Sequence, residues 1–304
     1  MPSPTQRQLT VQDVAAYARE AFAQSIVEAA PIGGGTFAAV WRVRLDDGRD
    51  VVLKVGPRPD VRLLRYEADM IPSEAAYYRM VAGLAPVPTV LHEGDDWIFV
   101  TLLPGVPLGF GEPAPTVRSE LGAAVARVHT VTGERFGYPG DRPHATDWPT
   151  AFAAMVEAML ADAVDWDVSL PVAPQRVREV VSSRAALLKE VTTPVLVHFD
   201  LWDGNVLHDN GRLTGMVDGE RYLYGDPLFD FVSPALFQRI EDVPDHPFVR
   251  GYGPGIELDP ERLSLYRMYL YLLMVTEVPS RCITDPARID FLRDNLAREV
   301  SFLD

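Results

Sequence analysis

Residues 195–218, VLVHFDLWDGNVLHDNGRLTGMVD, restrict the possible folds more than any other stretch of this chain. An apolar run ending at Val197 passes at once into His198, Phe199 and Asp200. A second short run starts at Asn205, Asn210-Gly211 supplies a two-residue turn, and LTGMV leads to Asp218. The pattern reads as strands over 195–198, 205–208 and 213–217, the last two forming a hairpin. A carboxylate and a carboxamide five residues apart on an apolar floor are costly to desolvate unless each has something to bind. The strands must therefore pair so that Asp200, Asn205 and Asp218 emerge together in one cleft.

The chemistry of such a cleft follows from the donor set. Two oxygens of Asp218 and one from Asn205 make a hard, oxygen-only site of modest charge. Mg²⁺ accepts this when water and the phosphates of a nucleotide complete its shell. Asp200, outside that pair, is left to accept a proton or orient a hydroxyl.

A second signal lies near the N-terminus. Of the 28 basic residues only Lys54 and Lys189 are lysines, and Lys54 sits inside the strand pattern DVVLKV. Thr10 with Asp13 three residues on reads as a capped helix to about Phe22. Strands are expected into Ile32, over 37–45 and over 51–55, with a glycine turn at Gly33–Gly35 and an Asp-Gly hairpin at 46–48. Helical spacing then runs over 61–84 across Pro72, with Glu74 on the same face as Tyr77. Glu67, seven residues before Glu74, shares that face if the helix is continuous, so either acid could meet Lys54. Two strands follow around Gly94-Asp95-Asp96, and a Pro/Gly-rich stretch at 104–115 reads as a linker. Beyond it helices are expected over 116–131, 148–161, 173–190, 227–238, 259–278 and 286–302.

Composition narrows the function. A net charge of −15 leaves no basic stripe for nucleic acid; it suits a cationic small molecule, or serves solubility alone. No apolar run is long enough to span a membrane. The N-terminus lacks an export-signal layout, and a single cysteine fits a reducing compartment, so a cytoplasmic protein is expected.

The order His198-x-Asp200-x4-Asn205, then Asp218 at a strand end, resembles the catalytic loop of the kinase fold. The phrases LVHFDLWDGNVL, MVDGERYLYGDPLFDF, LLPGVPL and LGAAVARVHTV are similar to the aminoglycoside phosphotransferase-like superfamily of small-molecule kinases. This resemblance implies an α+β, two-lobed, protein-kinase-like fold. Residues 1–103 would form a small lobe with an antiparallel sheet and one helix, and residues 104–304 a larger, mainly helical lobe. It further implies ATP or GTP as co-substrate with Mg²⁺. Lys54 would bind phosphates while held by Glu74, and Asn205 and Asp218 would hold the metal. Asp200 would be the catalytic base. Gly34, Gly35 and Thr36 would approach the phosphates, and Thr101, Leu102 and Leu103 the base.

Phe199 stands where regulated protein kinases carry an arginine, and only six residues separate Asp218 from Gly225-Asp226-Pro227. Both features disfavour a peptide substrate. An antibiotic-type acceptor is expected, with Asp203, Glu220, Asp165 and Trp166 as candidate substrate contacts. A fructosamine, sugar-amine or choline-type metabolite kinase is the alternative. A metal-dependent hydrolase built on His198, Asp200, His208 and Asp218 would leave Lys54 and Glu74 without a role, and a nucleotide-binding scaffold would not need Asp200. His198 and Asp230 read as bracing residues, and Asp226 as a ready helix cap.

Overall fold

The computed structural model describes residues 3–243 and 245–304. It begins with helix α1 (Val11–Phe22) and strands β1 (Ile26–Pro31), β2 (Ala39–Leu45) and β3 (Asp50–Val55). Helix α2 (Met70–Met80), β4 (Val90–Glu93) and β5 (Trp97–Thr101) follow. The five strands make one antiparallel sheet in the order β1-β2-β3-β5-β4. Successive side chains of β3 alternate between its faces. Val51, Leu53 and Val55 pack with Val14 and Ala18 of α1; Val52 and Lys54 face α2. The expected N-cap at Thr10 opens α1, and Asp13 completes a capping box with it.

The chain between β3 and α2 departs from the expected long helix. Leu64 and Tyr66 are buried in the core of the C-terminal part, and only a 3-10 turn forms, over Arg65–Glu67. Asp69 then takes a left-handed φ of 55°, and α2 starts afresh at Met70. Pro72 sits in its first turn, where backbone N–H groups have no intrahelical partner, so no kink is needed. Tertiary burial has overridden a helical spacing pattern.

The remainder is mainly helical: α3 (Pro115–Val128), α4 (Trp148–Asp165), α5 (Pro174–Ser183), α6 (Ala185–Leu188), α7 (Pro247–Tyr252), α8 (Pro260–Ser280) and α9 (Pro286–Phe302). Short strands lie among them: β6 (Val106–Pro107), β7 (Phe136–Gly137), β8 (His144–Ala145), β9 (Val195–Val197), β10 (Val206–Asp209), β11 (Arg212–Met216) and β12 (Leu223–Gly225). The hairpin β10–β11 pairs with β6, inside the stretch read as a linker, and β9 pairs with β12. The core wraps α8, which is buried on nearly all sides from Leu263 to Val275. No helix of the described residues is long and apolar enough to cross a membrane.

Two expected helices differ. Residues 173–190 break at Arg184 into α5 and α6. Residues 227–238 form only 3-10 turns, over Pro227–Phe231 and Ser233–Ala235. Pro227 and Pro234 each remove a donor, and the side chains between them are spent on the loop at 198–201.

Candidate active site

That loop is built from the backbone outward. Asp230, fully buried, accepts the His198 N–H at 3.0 Å and the Phe199 N–H at 2.7 Å. His129 contacts the same carboxylate at 3.0 Å, and the Ser233 hydroxyl accepts the Leu201 N–H at 2.8 Å. Phe199 holds a positive φ of 72°, a strained conformation for a bulky residue. It is sustained by this bracing and by packing of the ring 4.8 Å from Phe229 and 5.7 Å from Tyr269. The turn at Phe199 aims the next side chain, Asp200, into the cleft.

The other members are tied to Asp200 through the backbone. Asn205 donates its Nδ2–H to the Asp200 carbonyl at 2.8 Å, which turns its amide oxygen the other way. The Val217 N–H donates to the Asn205 carbonyl at 3.0 Å, and His198 Nε2–H donates to the Val217 carbonyl at 3.1 Å. His198 thus carries its proton on Nε2 and accepts the Asp200 N–H on Nδ1; burial pushes its pKa down. Asp218 follows Val217 with a φ of 61°. After it only glycine fits, because a Cβ on Gly219 would lie 2.3 Å from the Tyr77 ring.

Lys54 reaches this point from the sheet. Its ammonium is 2.5 Å from Glu74 Oε1 and also pairs with Asp218. Glu67 is elsewhere: it accepts the Leu64 N–H at 2.8 Å and pairs with Arg281. Burial opposes the Lys54 charge, but Asp218 and Glu74 outweigh it and hold the ammonium well above its usual pKa. Burial would raise Asp218; Lys54 overrides it and holds that carboxyl low. Glu74 is pushed up by burial, with Lys54 opposing.

Tyr78, which sequence reasoning missed, ties the group together. Its hydroxyl donates to Glu74 and accepts the Asp218 N–H at 3.1 Å. Its position four residues after Glu74 on one helix was the available signal. A second missed group is joined mainly by pairs distant in sequence, and only Glu277 and Arg281, four residues apart on α8, carry a signal of that kind. Arg221 lies 3.8 Å from Asp200 and 2.9 Å from Glu277, and Glu277 contacts Arg281, the partner of Glu67. This buried ion network joins the segment before α2 to the end of α8.

The remaining candidate residues are placed as follows. A Cβ at Gly34 or Gly35 would meet nothing within 4 Å, and Thr36 is exposed, so this loop lies open. Thr101 pairs with Thr89 through N–H and hydroxyl at 3.0 and 2.9 Å. Leu102 packs under the sheet, and the Leu103 side chain covers Gly215 of β11. Glu220 is half-buried, and one oxygen each of Glu74, Asp218 and Glu220 lie within 4.8 Å of one another. Burial, Asp218 and Glu74 push the Glu220 carboxyl well up.

The other three expected substrate contacts are instead engaged by the chain itself. Asp203 accepts the Gly111 N–H at 2.8 Å and pairs with Arg118 at 2.8 Å. Asp165 pairs with Arg65 at 2.7 Å, and the Arg62 guanidinium covers the Trp166 ring at 4.6 Å.

The residues present fit a divalent cation. The Asn205 amide oxygen and the Asp218 carboxylate are hard donors, and Glu74 Oε2, on a carboxylate close to Asp218, is buried without a partner among the described residues. The Asp200 carboxylate accepts no hydrogen bond from the described residues and is about one-fifth exposed. Burial pushes its pKa up, with Arg221 and His198 opposing.

Comparison with known proteins places these features in context. Residues 28–266 match the family described as phosphotransferase enzyme family. A protein of Lactiplantibacillus plantarum named "probable ketoamine kinase" is 26% identical over 268 residues, covering 82% of this chain and 87% of the relative. The solved structure of a candidate fructosamine-3-kinase from Thermobifida fusca superposes with a TM-score of 0.73 at 23% identity, covering 96% of this chain and 100% of that one. An aminoglycoside phosphotransferase solved with AMP-PNP and hygromycin B gives 0.60 at 20% identity, covering 95% and 98%. These neighbours share a protein-kinase-like architecture with the present chain.

Proposed function

The chain belongs to the phosphotransferase enzyme family, and on that premise we propose that it transfers the terminal phosphate of ATP to a hydroxyl of a ketoamine. The observation that carries the chemistry is the Asp200 carboxylate, aimed into the cleft without a hydrogen bond from the described residues and beside the Asn205–Asp218 pair. An acceptor hydroxyl placed there donates its proton to Asp200 as its oxygen bonds to the γ-phosphorus. The bond from that phosphorus to the β,γ-bridging oxygen breaks, and ADP leaves.

Lys54, held by Glu74, contacts the α- and β-phosphates. Backbone N–H groups around Gly34, Gly35 and Thr36 approach the phosphates, and the Thr101–Leu103 connector faces the base. Asn205 and Asp218 would hold Mg²⁺, which when bound neutralises phosphate charge. Arg221 lies on the far side of Asp200 and keeps it from standing alone in a field of acids.

One feature favours a ketoamine over the antibiotic acceptor expected from sequence. The relative in Lactiplantibacillus plantarum bears the ketoamine kinase name and aligns over most of both chains. The nitrogen of a ketoamine and the amines of an aminoglycoside are both cations at neutral pH, so Glu220, half-buried and free of any ion pair among the described residues, suits either and does not choose between them. The test is nucleotide consumption with mass detection of a transferred phosphate, comparing a fructosamine, an aminoglycoside, a macrolide and choline, each with ATP and GTP. Phosphorylation of the fructosamine at the highest kcat/KM is expected. Phosphorylation of an antibiotic in preference to the fructosamine overturns the acceptor assignment.

A further inference from the structure

The segment ahead of α1, which turns at Ser3–Gln6 with the Gln6 N–H donating to the Ser3 carbonyl at 3.0 Å, is bound to the glycine loop from behind. Thr5 Oγ1 donates to the Thr36 carbonyl at 2.7 Å. Gln6 Nε2 donates to the Gly35 carbonyl at 2.8 Å and to the Ala38 carbonyl at 3.2 Å. Ser3 and Thr5 share a hydroxyl contact at 2.8 Å, and both are buried. Arg7 fixes the far end of the segment through the Pro57 carbonyl at 2.9 Å and an ion pair with Asp96. Two side chains therefore hold three carbonyls, those of Gly35, Thr36 and Ala38, of an otherwise open loop.

The direction of those bonds matters more than their number. In a trans peptide the N–H points opposite to its C=O. Fixing the Gly35 carbonyl therefore fixes the direction of the Thr36 N–H, and fixing the Thr36 carbonyl does the same for the Phe37 N–H. Neither N–H meets an acceptor among the described residues. Thr5 and Gln6 lead into α1, which covers the face of β3 carrying Leu53 and Val55; Lys54 emerges on the opposite face. The two N–H groups are thus turned away from the strap, toward the side of the sheet where the Lys54 ammonium lies.

We propose that residues 3–7 are a positioning strap, in which Thr5 and Gln6 set the glycine loop so that the Thr36 and Phe37 amides meet the nucleotide's phosphates. This rests on the reading that the loop covers a triphosphate. A flexible glycine loop loses conformational entropy when it closes on phosphate. A strap that orients it beforehand moves that cost from binding to folding. Thr5 and Gln6 act through the loop and touch no reacting atom.

The test compares the full-length protein with Thr5→Val, Gln6→Leu and the double variant, by calorimetric titration with Mg·ATP and separately with adenosine. Loss of the strap should raise Kd for Mg·ATP roughly tenfold in the double variant, which corresponds to about 1.4 kcal/mol. Adenosine affinity should stay within about twofold. KM for ATP should rise while kcat at saturating ATP is kept, and Thr5→Ser, which retains the donor, should restore the wild-type value.

A double variant that binds Mg·ATP as tightly as wild type overturns the strap. So does an equal loss for adenosine and Mg·ATP, because that signals general loosening of the fold; thermal melting of each variant identifies this case directly. Failure of the wild-type protein to bind Mg·ATP at all would instead remove the nucleotide reading on which the strap depends.

Discussion

Tyr78→Phe isolates one atom whose two bonds hold the charged centre together. The ring is 1% exposed and phenylalanine keeps its shape, so no cavity forms. What is lost is the hydroxyl that donates to Glu74 and accepts the Asp218 N–H at 3.1 Å. A hydrogen bond to a charged group contributes about 1.5–3 kcal/mol, and a buried N–H left without an acceptor costs about 1 or more. Glu74 is poorly placed to absorb this, since its Oε2 already lacks a partner. A loss of about 3 kcal/mol follows, or roughly 6 °C in Tm at about 2 °C per kcal/mol for a chain of this size. With Lys54 and Asp218 less firmly set, Kd for Mg·ATP should rise about threefold to tenfold. The adjacent residue supplies the control: the Tyr77 hydroxyl is buried without a partner among the described residues, so Tyr77→Phe should be neutral or stabilising. Thermal melting and Mg·ATP titration of the two variants check the pair. If Tyr78→Phe melts with Tyr77→Phe and binds nucleotide as wild type does, the hydroxyl is not the link described.

Asp200→Ala should lower kcat at least ~10²-fold, in keeping with loss of a general base, while Kd for Mg·ATP changes little; near-normal turnover in a coupled assay would remove Asp200 from the reaction. Asp200→Asn should be more stable than wild type in metal-free buffer at pH 7. Burial raises the Asp200 pKa in the folded state, so stability falls as pH rises from the unfolded value, about 3.9, through the folded one. The advantage of the amide should accordingly shrink as melting is repeated toward pH 4, and an advantage independent of pH would refute the linkage. Asp218→Ala should weaken Mg·ATP binding itself and leave Lys54 with Glu74 alone; unchanged affinity by titration would count against Asp218 as a metal ligand. Arg281→Leu should cost about 3–5 kcal/mol, because it strands the buried Glu67 carboxylate without its cation; a Tm within about 1 °C of wild type would show that the pair contributes nothing.

The parts of the site that could be read from sequence are those whose meaning is local. DVVLKV reads as a strand with a buried lysine because five of its six residues are buried in a central position, and the hairpin to Asp218 is written in Asn210-Gly211. Asp230 was legible as a brace by its place in the family pattern, although the geometry of the brace was not. It ends the expected helix at 227–238, since a carboxylate that accepts two amides of another loop is held where those amides are. Long-range charge pairing had no such trace: Arg221 and Glu277 are 56 residues apart, and Glu67 and Arg281 are 214 apart.

The choice between Glu67 and Glu74 shows why a periodic pattern can mislead. Seven residues are two helical turns, so both acids would share one face if 61–84 were continuous. That continuity fails at Asp69, whose left-handed φ separates the 3-10 turn holding Glu67 from the helix holding Glu74. The break has a tertiary cause, because Leu64 and Tyr66 gain burial in the larger core that a straight helix beneath the sheet could not supply. Each acid then meets a different cation, Lys54 from the sheet or Arg281 from the end of α8. The same stretch of chain thus serves both halves of the cleft. A movement of α2 that shifts Glu74 relative to Lys54 must also work against the Glu67–Arg281 pair, and through Glu277 and Arg221 that pair reaches Asp200.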